Sequence, residues 1–143
     1  MCIKIAMNQR PKNKGTAYKL HWVNTETKTI QPLFAEFDGL CMNEWLQAKG
    51  SGNQTGFHMF LKKNDTMRFM DTILENGWFN SGLSCPHEDW TLVLHEVEFK
   101  ESKYSGKTGN IGWSSADNIP CITARQMRIK KSLLEITITR YDT

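Results

Sequence analysis

The sequence predicts a single α+β domain over residues 1–143, a mostly antiparallel sheet with one main helix, about residues 64–76, packed on it. Three observations predict this. Segments in which apolar and polar side chains alternate with period two outnumber the one segment with helical periodicity. The strand-like segments do not alternate with helices, as a doubly wound parallel sheet requires. No repeat, low-complexity tract or linker divides the 143 residues, a length near the commonest domain size.

Each element follows in turn. Met1–Met7 alternates and reads as a first strand. Asn8–Gly15 is polar and basic, contains Pro11 and Gly15, and reads as a loop. Ala17–Val23 sets Tyr18, Leu20 and Trp22 on one face and Lys19 and His21 on the other, the pattern of a strand. After a turn at Asn24–Lys28, Thr29–Phe34 resumes extended structure, and Pro32 marks an edge. Glu44–Ala48 is a short apolar segment in an otherwise irregular stretch, and Gly50–Gln54 is a loop. Gly56–Leu61 is a strand whose Phe57 and Met59 are expected to pack on the helix that follows.

That helix, Asn64–Asn76, carries Asn64 as its expected N-cap, Asp65 in its first turn and Gly77 at C′. Met67, Met70, Ile73 and Leu74 form its apolar stripe, with Phe69 on the border. Trp78–Trp90 is irregular. Thr91–Phe99 is the strongest strand, apolar on both faces at first and then showing Glu96 and Glu98 to water. Lys100–Asn118 reads as a long Gly/Ser/Lys loop or hairpin, and Ile119–Ile129 and Leu133–Tyr141 as two last strands.

Composition bounds the setting. Hydrophobic content of 39% and charged content of 23% are ordinary for a globular domain. No apolar run approaches the roughly 18 residues of a membrane span, and Met1–Met7 is too short and too alternating for a signal peptide. The expectation is a cytoplasmic protein that makes no membrane contact. Cys2, Cys41, Cys85 and Cys121 are widely spaced and are expected as reduced thiols.

The residues bear on several chemistries. Ser105-Gly106-Lys107-Thr108 lacks the upstream glycine of a phosphate-binding loop, since position 101 is Glu, and reads as a hairpin tip. Cys85-Pro86-His87 is at most half a zinc site, so neither metal nor cofactor is expected. Glu96 and Glu98 lie about 7 Å apart by strand rise, side by side on one face. That arrangement suits a solvent face first, and general acid–base work with His58 second. His58, between large apolar residues, reads first as a core histidine bonded to backbone and second as a pocket residue. In the pocket reading, His58, Trp22 and Arg125 bind a small ligand or nucleotide. Net charge is only +3, but Arg125, Arg128, Lys130 and Lys131 cluster near the C-terminus, where they would meet phosphates if the partner were a nucleic acid.

The order of short motifs resembles a loose group of small phage and prophage proteins of unassigned function. The shared residues are Met1-Cys2-Ile3-Lys4-Ile5, Gly15-Thr16-Ala17-Tyr18-Lys19, Trp45-Leu46-x-Ala48, Gly56-Phe57-His58-x-Phe60 before a helix, and Ala124-Arg125-x-Met127-x-Ile129. They span roughly residues 1–129. The resemblance brings no catalytic residues. It implies an accessory protein in a host cytoplasm that binds and inhibits a host protein, such as a defence or nucleic-acid-processing factor. Trp78, Phe79, Trp90 and Trp113 are then the expected interface anchors.

Overall fold

A computed structural model of the protein describes residues 3–6, 12–33, 39–48, 56–76, 90–108 and 119–137. The chain is α+β, with one helix and a mostly antiparallel sheet. Its elements are β1 (Ile3–Ala6), β2 (Lys14–Asn24), β3 (Ile30–Pro32), β4 (Trp45–Gln47), β5 (Phe57–Phe60), α1 (Lys63–Asn76), β6 (Trp90–Thr108) and β7 (Pro120–Thr137).

The pairing of four of these strands closes a ring. β2 pairs with β6, β6 with β7, β7 with β5, and β5 with β2 through Tyr18 and Phe60, all antiparallel. β1 extends the ring along β6, β3 along β2 and β4 along β7. Closing a sheet on itself gives it an inside and an outside. The inner face buries Ala17, Leu46, Phe57, Met59, Val97, Phe99, Ile122, Ala124, Met127 and Ile129. The outer face buries Leu20, Trp22, Phe60, Leu92, Leu94 and Cys121 beneath Phe69 and Met70 of α1.

Strand alternation therefore sends Phe57 and Met59 inward, and Phe60 is the residue that meets the helix, its ring centroid 5.3 Å from that of Phe69. The expected packing of Phe57 and Met59 on α1 is corrected by ring closure. Phe69, expected on the stripe's border, is fully buried, and Met67 only partly so. The helix begins at Lys63, so Asn64 lies in its first turn rather than at its cap. Lys62 supplies the carbonyl that accepts from both the Thr66 amide and the Thr66 hydroxyl.

β6 and β7 are longer than the sequence suggests. Of the two readings of residues 100–118, the structure bears out the hairpin and not the loop, since Lys100–Thr108 continues β6 and pairs antiparallel with β7 as far as Lys107 and Pro120; residues 120–137 make one strand instead of two. The polar run Lys130-Lys131-Ser132 looks like a break. In the structure it is absorbed by bulges, where the β6 register slips between Leu94 and His95 and between Glu96 and Val97. Each slip leaves one extra residue on β7, Leu133 and Lys130 respectively, which bends the strand and re-aims the next side chains. Ser105–Thr108 lies between β1 and β7 with its backbone in both ladders, so it is strand and not a hairpin tip.

Candidate functional site

Two places on the ring concentrate chemistry. The first is outside, along β4, β6 and β7. Leu46 points into the inner core, so alternation turns Trp45 outward, where it is half-buried. Lys100 places its Nζ 3.9 Å from the Trp45 ring centroid, and Arg128, directly across from Trp45 in the β4–β7 ladder, places its guanidinium carbon at 4.8 Å. Both distances are those of cation–π contact. Arg128 Nη2 also donates to both oxygens of Glu98, at 3.2 and 3.0 Å, and Lys130 Nζ lies 3.2 Å from Glu98 Oε1. The Arg128 hydrogen bonds hold the Glu98 carboxyl below its usual value. Lys131 reaches Glu96 at 3.8 Å.

The second place is inside. Lys19 and His21 share the inner side of β2 with Ala17, and His95 stands across from Lys19 on β6. His21 is completely buried and His95 almost so. Their Nδ1 atoms are 3.0 Å apart, with ring centroids at 5.1 Å and planes inclined at 58°. One ring must donate Nδ1–H and the other accept, so the pair holds two different neutral tautomers. His21 Nε2 is buried with no hydrogen-bond partner among the described residues. Burial pushes the His21 imidazole well below 6.5, and the charges of His95 and Lys19 push the same way. Burial takes His95 down to about 4 against the opposing carboxylate of Glu135. Lys19 Nζ donates to the His58 carbonyl at 2.6 Å, and burial brings its ammonium down to about 8.

The residues singled out from the sequence are placed as follows. Trp22 is 1% exposed and belongs to the core under α1, so its ring does not line an open pocket with Arg125, which is exposed on β7. His58 is half-buried on β5 opposite Thr123, on the outer side with Phe60. β2 lies between its strand and that of Glu96, so two strand spacings of about 4.8 Å separate them. Arg128, Lys130 and Lys131 are brought together, but each with a carboxylate. Trp90 opens β6 across from Asn24. Trp78, Phe79 and Trp113 lie outside the described residues, as do Cys2, Cys85 and His87.

Cys41 and Cys121 are free thiols. Cys41 donates to Glu44, which raises its pKa, and burial pushes Cys121 up to about 12, so Cys121 stays a thiol at neutral pH. Among the described residues no three His, Cys, Asp or Glu side chains converge on a metal-sized site. No helix there is long and apolar enough to cross a membrane.

Sequence reasoning missed Trp45 and the histidine pair. The signal for Trp45 was its alternation with Leu46. For Lys19 and His21 the shared face was legible, but the pattern alone cannot say that ring closure turns that face inward. No family model matches the chain, and neither the curated proteins nor the solved structures compared with it show a match.

Proposed function

We propose that the protein is a small, phage-type accessory module that binds and inhibits a host protein without catalysing a reaction, docking through the outer face around Trp45. The phage context rests on the motif resemblance. The docking face rests on one observation: a half-buried tryptophan on the short strand β4, with Lys100 and Arg128 both in cation–π contact with its ring. Tryptophan and arginine are the side chains that most often dominate binding energy at protein interfaces, and a ring already held by its neighbours loses little freedom on docking. Glu98 favours a protein over a nucleic acid as partner. It neutralises Arg128 and Lys130, the side chains a phosphate backbone would need free.

Affinity capture from host lysate, with native mass spectrometry of the complex, tests this reading. The expected result is a stoichiometric host protein held by the wild type. Trp45→Ala should weaken it about 30-fold or more, the loss typical of an interface hot spot. Capture that is unchanged in Trp45→Ala, or an absence of any stoichiometric partner, would overturn the reading. A gel shift at low salt that retains nucleic acid would replace the protein partner with a polyanion.

A further inference from the structure

We propose that the His21–His95 pair is an acid-operated latch, and that protonating it parts the two rings and opens the end of the inner face where β2, β6 and β7 meet. The geometry carries the inference. A histidine pair bonded Nδ1 to Nδ1 at 3.0 Å needs one nitrogen without a proton. The first added proton makes a cation where one ring is fully covered and the other nearly so. If His21 takes it at Nε2, the new N–H points at no acceptor among the described residues. The second proton sets two N–H donors against each other. Water can solvate these charges only if the strands separate.

The groups facing the pair set the direction. From β2 comes the Lys19 ammonium, tied to the His58 carbonyl of β5, and it repels any added positive charge. From β7 comes Glu135, which attracts a proton to His95 but is itself exposed and shares a hydrogen bond with Ser132. β6 contributes the apolar Val93 and Val97 beside His95, and β3 sets the uncharged Pro32 directly across from His21. One attraction from an exposed carboxylate stands against burial of both rings and a neighbouring cation.

The sign follows. Both imidazoles bind protons more weakly in the folded chain than in the unfolded one, so the closed state is fully favoured above about 6.5. It is lost as the pH falls toward about 4, where His95 titrates in the fold. Glu98, also held low, acts below its usual 4.5 and is separated by pH. Between pH 6.5 and 4.5 the opening constant should rise about tenfold per pH unit for each proton taken up.

Hydrogen exchange by NMR on the full chain tests this, reading the amides of residues 19–22 and 92–95 from pH 7 to 4.5 after correction for intrinsic exchange. The expected result is loss of protection at that slope in the wild type, and a flat profile in the double variant His21→Leu, His95→Leu. Ring-nitrogen spectra of the wild type give a second measure that needs no variant. Both rings should remain neutral while the amides are protected, and gain protons only as protection falls. A ring that titrates near 6.5 with protection unchanged, or an acid response kept in the double variant, would overturn the latch.

Discussion

At the residue scale, the closure of the ring depends on Gly56. It enters β5 with φ of 107°, in the left-handed region, and a Cβ there would sit 2.9 Å from the carbonyl oxygen of Ala124. A side chain therefore meets both backbone strain and a clash with β7, and the strand beyond it cannot shift without losing the Phe57–Ala124 pairing. Gly56→Ala should cost about 2 kcal/mol or more in urea unfolding, and a loss under about 0.5 kcal/mol would show that β5 is free to move. Glu98 poses the opposite case. Its side chain is 33% exposed and that of Arg128 30%, so solvent screens the pair despite its geometry. Glu98→Gln should cost less than about 1 kcal/mol at neutral pH. Because its carboxyl is held low in the fold, the stability it adds is present above its usual value and lost as pH falls below it. The variant should therefore lose less than the wild type on acidification below about 4.5, readable as a shallower fall of the urea midpoint.

At the element scale, the described side chains of α1 are those of residues 63–72. Among them Phe69 and Met70 are the fully buried apolar ones, and Thr66 and Thr72 are buried beside them with their hydroxyls donating to the backbone carbonyls of Lys62 and Arg68. Phe69→Ala should cost about 3–5 kcal/mol, the price of a large aromatic removed from a packed site. Met67→Ala, at a half-buried position, should cost much less. A comparable loss from both, measured by urea unfolding, would mean that the helix docks on a broader stripe. The helix and the strand β2 were legible because their apolar periods extend over many residues. β7 was not, because Lys130-Lys131-Ser132 has the composition of a turn and nothing local reveals that two bulges accommodate it. The sense of the inner face was hidden for a different reason. Lys19 and His21 alternate with Tyr18, Leu20 and Trp22 as solvent-facing residues do, and only the pairing of β5 with β7, distant in sequence, turns them inside. The Trp45 site was hidden in the same way, since its cations come from Lys100 on β6 and Arg128 on β7.

At the scale of the whole molecule, the two cores share their walls. β2 gives Leu20 and Trp22 to one and Ala17 to the other; β6 gives Leu92 and Leu94 to one and Val97 and Phe99 to the other; β7 and β5 are divided likewise. Neither core can dissolve while the other keeps its strands in register, so unfolding should be a single cooperative transition. The same pairings are distant in sequence, with Lys14 facing Lys100 and Phe57 facing Ala124. Long loops must close before those contacts form, which places folding in the millisecond-to-second range expected of non-local β topologies. Leu94→Ala probes the core under α1 and Val97→Ala the inner one. Each should lower the urea midpoint while leaving the slope unchanged and the transitions followed by far-ultraviolet circular dichroism and tryptophan fluorescence coincident. Two separated transitions, or a slope that falls in only one variant, would show that the inner face survives without the helix-covered core. In that event the shared strands would not couple the two faces as the closed ring requires.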